Sequence, residues 1–226
     1  SVVRGDSNWV GADYCVPVKL AHGHLRRLVE EVDPHETILV PYMIAAESQK
    51  KTLGSWFCPY NLGLPAMLEA AAQLRGVPLA DRLVKPTVDL RWDERTAAKK
   101  LHADLATKLG GSRADYERAW RAAVEAMHEL DRAQAALGRQ ELARVEASGR
   151  PAVIVMGRPY NIFDAGANLA LPEKLSQMGI DVIPMDLLPL QDELLDETFR
   201  NMFWNFGRRI LEACSLVARS PNLYAV

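Results

Sequence analysis

PAVIVMGRPYNIFDAGANLALPEKLSQMGIDVIPMD, residues 151–186, is the stretch that decides the fold class. Its first six residues are apolar and uncharged, which is typical of a buried parallel strand, and the strand ends in a turn at GRPYN. ALPEKLSQMG then predicts a helix, and IDVIPMD predicts a second strand. A strand, a helix and a second strand form a βαβ unit, so a parallel sheet with a right-handed crossover is expected here.

The same alternation is present toward both ends of the chain. ETILVPYMIA (36–45) predicts a continuous buried parallel strand, and TVDLRW (87–92) predicts another strand. Helices are predicted on either side of the first strand by KLAHGHLRRLVEEV (19–32) and by LPAMLEAAAQLRG, with Pro65 near its start. Residues 199–218 predict a third apolar helix, and the final NLYAV predicts a strand.

Residues 93–148 differ from the rest because they are dense in charged side chains and rich in alanine. They predict two helices broken at Gly110 and Gly111, with Ser112 as the N-cap of the longer one. The fold class expected is therefore α/β, with two Rossmann-like parallel-sheet lobes, residues 1–92 and 149–226, joined by the long helices of residues 93–148.

Composition restricts the classes of function. The chain has 226 residues and a formal net charge of -2, which argues against a nucleic-acid binder. No apolar run reaches the roughly 18 residues that span a bilayer, so no membrane partner is expected. Three cysteines do not form a disulfide framework, and the N-terminus lacks the order of a signal peptide. These features predict a cytoplasmic protein.

The first candidate site begins in CVPVKLAHGH (15–24). Pro17 suits the first turn of a helix, which places Cys15 just outside the helix N-terminus. The helix dipole there stabilises a thiolate, the form that binds a metal or attacks a substrate. His22 and His24 are separated by about 200° around the helix, so they cannot share one metal ion.

Cys58, in SWFCPYN, is also followed by a proline near a helix start. In a parallel sheet the loops at the carboxyl ends of the strands meet, so the thiols of Cys15 and Cys58 could converge on a soft metal or an iron–sulfur cluster. The alternative is that both cysteines are structural. Cys214, midway along an apolar helix, is expected in the core.

The second candidate site is the turn after the strand at 152–155. A glycine turn at that position can direct N–H groups at an anion, although GRPYNIFDAG is neither a dinucleotide fingerprint nor a phosphate loop. The alternative is an ordinary turn stabilised by asparagine and aspartate. The residues expected to line a ligand crevice here are Gly157, Arg158, Pro159, Tyr160, Asn161 and Asp164.

Five stretches together resemble the activase-related proteins of the 2-hydroxyacyl-CoA dehydratase system, known as CoA-substrate-specific enzyme activases of anaerobes. They cover nearly the whole chain and are CVPVKLAHGH, VPYMIA, CPYNLGLPAML, GRPYNIFDAGANLALPEKLSQMGIDVIPMD and ARSPNLYAV. The resemblance implies a dehydratase-like region in which Cys15 and Cys58 are ligands of a four-iron four-sulfur cluster. Lys19, His22 and His24 would then form the surrounding shell of that cluster.

The resemblance also implies partner proteins and indicates which motifs of the family this sequence lacks. An activase ATPase domain or a dehydratase subunit is the expected partner, with an acyl-CoA as a further ligand. In the family, a cysteine-containing motif follows a segment like ARSPNLYAV, so the sequence is expected to be truncated and its cluster site incomplete. No glycine-rich phosphate loop of the ATPase half is present, so ATP hydrolysis is not expected. Two alternatives stay open: a non-catalytic docking module, and a zinc site formed by both cysteines and one histidine.

Overall fold

The computed structural model describes residues 9–47, 54–79, 81–191 and 194–226. Helices and strands are interspersed along the chain, and among the described residues two short 3-10 helices, Met185–Leu187 and Glu197–Phe199, follow the sixth strand. The elements in order are α1 (Val16–Glu31), β1 (Ile38–Leu39), β2 (Tyr42–Met43), α2 (Pro59–Leu74), β3 (Leu83–Val84), β4 (Thr87–Val88), α3 (Glu94–Leu109), α4 (Arg113–Ser148), β5 (Ala152–Val155), α5 (Pro159–Phe163), α6 (Leu171–Gln177), β6 (Asp181–Pro184), α7 (Asn205–Ala218) and β7 (Leu223–Ala225).

The chain divides into two compact units, residues 1–47 with 56–121 and residues 48–55 with 122–226. The boundary falls inside helix α4, which contributes its first nine residues to the first unit. The three-part division expected from the sequence, with boundaries near residues 92 and 148, stays a prediction.

The first unit is built on a parallel ladder in which β1 pairs with β3 and β2 pairs with β4. Pro41 and Pro86 interrupt it because proline has no N–H to donate. The ladder nevertheless continues across them, since alternate N–H groups donate to the opposite carbonyls at 2.8–2.9 Å. These donor–acceptor pairs are Ile38–Arg82, Val40–Val84, Tyr42–Pro86 and Ile44–Val88.

The predicted strand at 36–45 is therefore parallel, as expected, but it is less regular and less buried than expected. Leu39 is 52% exposed, whereas Ile38 and Ala45 are buried. Ile38 packs in a core with residues of α1, α2 and β3, among them Leu25, Leu68 and Leu83. Burying these apolar side chains is what fixes the two helices beside the ladder.

Helix α2 begins earlier than the sequence suggested. We expected Pro65 near the helix start, but the helix begins at Pro59 and continues through Pro65. A proline inside a helix loses one backbone hydrogen bond. Pro65 is buried within the helix, and Pro59 occupies the first turn, where a proline is favourable.

The predicted break between α3 and α4 is confirmed. Gly110 and Gly111 have φ angles of 69° and 87°, a region that glycine adopts without strain. Ser112 then caps α4: its N–H and its hydroxyl each donate to an Asp115 carboxylate oxygen at 2.7 Å, and the Asp115 N–H donates back to Ser112 Oγ at 3.4 Å. This reciprocal pair satisfies N–H groups that would otherwise lack partners at the helix start.

The second unit contains a three-stranded parallel sheet of order β6–β5–β7. The predicted strands at 152–155, 181–184 and the C-terminus are thus confirmed, and β5 lies between the other two. Ile154 and Ala152 on β5 are fully buried and pack with Ile183, Val145 and Ala213. The sheet and the helices α4 and α7 therefore share one hydrophobic core.

Two details of this unit differ from expectation. Helix α7 begins at Asn205 and not at Phe199, since Glu197–Phe199 forms a separate 3-10 helix before it. A Cβ atom on Gly207 would lie 2.8 Å from both Met202 and Trp204 side chains, so only glycine permits this close approach. In addition, GRPYN is only partly a turn, since helix α5 begins at Pro159.

The chain is thus an α/β protein in which small parallel sheets are flanked by helices. The finer prediction of two Rossmann-like lobes stays a prediction, since the described strands form a short ladder and a three-stranded sheet. Within the described ranges, no helix is both long enough and apolar enough to cross a bilayer.

Two glycines in helices provide a matched test of the packing. Alanine at Gly138 of α4 would place a Cβ 1.6 Å from the Leu187 carbonyl oxygen, whereas the nearest such neighbour of Gly63 in α2 is 3.9 Å away. Alanine has the higher helix propensity by about 1 kcal/mol. We expect Gly63→Ala to raise the free energy of unfolding by up to that amount, and Gly138→Ala to lower it by roughly 1–3 kcal/mol because of overpacking. Urea denaturation measures both, and equal effects of the two changes would contradict the packing described here.

Candidate functional site

Cys15 and Cys58 occupy equivalent positions in the first unit, each as the N-cap of a helix. Their backbones are extended, with ψ angles of 159° and 140°, and a proline follows in the first turn of both helices. Neither side chain caps its helix by a hydrogen bond. Both thiols are half-buried and unoxidised, so they remain available at positive helix ends.

A cluster of aromatic rings links the two helix starts. Tyr14, next to Cys15, makes an edge contact with Tyr60, two residues after Cys58, with 5.8 Å between ring centroids. Tyr14 also stacks on His22 at 5.7 Å. The two cysteine-bearing segments are therefore held beside each other by their neighbouring rings.

Cys58 is also tied to the carboxyl end of the ladder, where sequence reasoning expected the site. Phe57 donates its N–H to the Ile44 carbonyl at 3.0 Å, and Trp56 forms an antiparallel bridge with Ala45. The two residues before Cys58 thus pair with the two residues that follow β2. This position matches the general rule for ligand sites in parallel sheets.

Sequence reasoning missed a second group at this edge. Asp89, just after β4, is 5% exposed and accepts three hydrogen bonds from Arg91, at 2.5–3.0 Å. Burial alone would raise the pKa of Asp89, but the bonds from Arg91 outweigh it and hold that pKa below its ordinary value. The Arg91 guanidinium lies 4.5 Å from the centroid of Trp56. Only the fold could reveal this arrangement, because Trp56 is distant in sequence.

The three residues expected around a cluster have different environments. His22 is 1% exposed, and its Nδ1 lies 2.8 Å from the Val18 carbonyl oxygen, so it supports Tyr14 within the helix packing. His24 is exposed. Lys19 donates to Asp13 at 2.5 Å, and this hydrogen bond lowers the pKa of the Asp13 carboxyl. Roles of Lys19, His22 and His24 toward a cluster stay predictions.

The described residues contain no group of three or more histidine, cysteine or acidic side chains arranged to hold a metal ion. The metal role predicted for Cys15 and Cys58 therefore rests on two donors. Cys214 was expected in the core, and this expectation is wrong. The residue lies on the exposed side of α7, next to buried Ala213, with Sγ 3.7 Å from Met156 Sδ.

The second candidate site lies in the second unit, after β5. Gly157 donates its N–H to Met185 Sδ at 3.3 Å, and the Arg158 guanidinium lies 4.7 Å from the Tyr160 ring centroid. Asp164 accepts from the Ala167 N–H at 2.9 Å, and Asn161 is exposed on α5. Asp164 thus stabilises a turn, as the simpler interpretation proposed, while Arg158 at the strand end keeps an accessible charge.

Asp186 is a further group at this edge that the sequence did not single out. It lies two residues after β6, in the 3-10 helix Met185–Leu187, and burial raises the pKa of its carboxyl while Arg209, at 3.2 Å, opposes the rise. The register that pairs Val155 with Pro184 brings the residues after β5 beside Asp186. Acidic character at this position could have been read from the sequence, since IDVIPMD ends in aspartate.

We expect phenylarsine oxide, which bridges two neighbouring thiols, to bind the reduced protein through Cys15 and Cys58. Tyr14→Ala removes the ring contact that holds the two segments together and should weaken binding about tenfold, or about 1.4 kcal/mol. Mass spectrometry and titration of the remaining thiols measure the product. Cys214→Ser is the control and should bind as the wild type does, whereas equal binding by Cys15→Ser would show that the two thiols are not neighbours.

Comparison with known proteins places the chain in one family. A family model described as the CoA enzyme activase uncharacterised domain matches residues 2–188. No curated protein and no solved structure matches the chain. The matched range contains both cysteines, the Asp89–Arg91 pair and the turn after β5. The chain is therefore a member of the CoA enzyme activase uncharacterised domain family.

Proposed function

We propose that this domain supplies two thiolate ligands, Cys15 and Cys58, to a four-iron four-sulfur cluster in a CoA-substrate-specific enzyme activase of an anaerobe. The observation that supports the proposal is the contact of Tyr14 with Tyr60, residues of the two segments that carry the N-capping cysteines. Family membership supports a role together with a partner enzyme.

The two thiols could supply part of the ligand set of such a cluster. Thiolates are the usual ligands, and four are normally needed. Two are available at this edge, and the described residues offer no larger group of donors around them. We therefore assign the remaining ligands to a partner surface, such as a dehydratase subunit.

The chain's own residues would favour the charged form of these ligands. Each thiolate would lie at the positive end of a sixteen-residue helix. Tyr14, Tyr60 and buried His22 would cover one side of the pair and restrict access of water. When bound, the cluster would supply one-electron transfer at low potential, in support of 2-hydroxyacyl-CoA chemistry.

The second unit has a separate part in this proposal. Arg158 follows β5 at the carboxyl end of a parallel sheet, where ligands bind in open α/β folds. Its guanidinium, stacked on Tyr160, suits a phosphate group of an acyl-CoA. This role agrees with the prediction that residues 149–226 form a Rossmann-like lobe.

Anaerobic reconstitution with iron, sulfide and a small external thiol tests the cluster proposal. The external thiol can occupy the positions that a partner would fill. We expect Cys15→Ser and Cys58→Ser each to lower the bound iron and sulfide at least about tenfold at limiting iron, equivalent to about 1.4 kcal/mol. Metal analysis and electron paramagnetic resonance provide the readout.

Cys214→Ser is the matched control, because this cysteine is exposed on α7 and outside the aromatic cluster. Iron uptake that is unchanged when Cys15 and Cys58 are both replaced by serine would remove the proposal. If the ATPase domain is still captured by that double variant, with no dependence on iron, the result favours a docking module. The charged exposed faces of α3 and α4 are what such a module would use.

A further inference from the structure

A buried acid, an arginine and a tryptophan meet at the carboxyl end of the ladder in the first unit. The Asp89 carboxylate accepts hydrogen bonds from the backbone N–H, Nε and Nη2 of Arg91. These bonds hold the planar guanidinium in one orientation, and it lies 4.5 Å from the ring centroid of Trp56. Trp56 is two residues before Cys58. An arginine that is both paired in this way and stacked on a ring restrains the segment that carries the ring.

The turn that carries Asp89 and Arg91 is fixed to the same residue that Trp56 pairs with. Leu90 donates its N–H to the Ala45 carbonyl at 3.1 Å. Trp56 forms its antiparallel bridge with Ala45, which is fully buried. Ala45 thus joins the two segments through the backbone, and the guanidinium joins them a second time through side chains.

This anchor lies where the chain returns to the first unit. Residues 1–47 and 56–121 belong to that unit, whereas residues 48–55 belong to the other one. The chain therefore re-enters the first unit at Trp56. The contacts made by Trp56 and Phe57 decide where α2 and its N-cap Cys58 begin.

We propose that Arg91, oriented by Asp89 and stacked on Trp56, is a positioning residue that sets the place of the Cys58 thiol. Cys15 lies beside a different contact, the stack of Tyr14 on His22, so a change at Arg91 affects one thiol and not the other. The role of Arg91 toward iron rests on the proposed function, whereas the place of the thiol can be measured in the metal-free protein.

Alkylation of the reduced, metal-free protein with iodoacetamide, followed at each cysteine by mass spectrometry, tests the role of Arg91. Arg91→Lys keeps the charge but loses the planar fork, and Trp56→Ala loses the ring. We expect each to speed alkylation of Cys58 at least about fivefold relative to Cys15 in the same sample, because the half-buried thiol is released by local opening.

Two control variants separate positioning from general effects. Trp56→Phe keeps a ring face for the guanidinium and should stay within about twofold of the wild-type ratio. Lys100→Ala removes another cation–ring contact of the same unit, 5.0 Å from the Trp92 centroid, and should leave the ratio unchanged. Wild-type alkylation of Cys58 in Arg91→Lys or in Trp56→Ala would overturn the proposal. Equal acceleration at all three cysteines would also overturn it, because it reports general loosening.

Iron binding distinguishes failure of this proposal from failure of the cluster proposal. If the cluster forms, Arg91→Lys should lower the affinity for iron about tenfold, as changes around metal ligands do. If neither the wild type nor the variant takes up iron, the cluster proposal fails, while the alkylation ratio still decides the role of Arg91. If iron binds equally to both and the ratio is unchanged, the cluster proposal stands and the role of Arg91 is overturned.

Discussion

Proline near the first helical turn is the constraint on which the arrangement of both candidate sites depends. A proline removes an N–H that the helix start cannot use, and it favours an extended conformation in the residue before it. That residue is the N-cap at Cys58 and Arg158, whereas Val16 separates Cys15 from Pro17. Cys15, Cys58 and Arg158 are all N-caps with ψ angles between 140° and 159°, and none uses its side chain for capping. These three candidate side chains are therefore placed at helix starts without being used as caps.

Neighbouring contacts then determine what those free side chains can do together. In the first unit, the rings of Tyr14, His22 and Tyr60 connect the two cysteine segments. The Cys58 segment is fixed to the end of β2 by a hydrogen bond from Phe57 to Ile44. The local sequence thus sets the position of each thiol along its helix. The packing of the rings sets the position of the two cysteine segments relative to each other.

Much of the fold could be predicted from the sequence, since its signals are local. The glycines and Ser112 defined the break between α3 and α4, and apolar runs defined the strands of the second unit. The start of α7 could not be predicted, because it depends on the chain folding over Gly207. Exposure of Cys214 was likewise set by how α7 packs on the sheet and not by its apolar neighbours.

The candidate site was predictable only in its separate parts. The nearby prolines indicated that Cys15 and Cys58 would lie at helix starts. The parallel strands indicated that the site would lie at their carboxyl ends. The Asp89–Arg91–Trp56 arrangement was missed because it joins a strand end to a segment more than thirty residues earlier. No local pattern reports such a contact.

Helix α4 has one more consequence. The helix continues without a break through the boundary at Arg121 and Ala122, so at this crossing the chain passes from one unit to the other within regular secondary structure. A protease that needs an extended substrate would find no ready cleavage point there. Expressing either unit alone would require cutting a helix and exposing its severed end. Any attempt to divide this protein should therefore keep α4 whole.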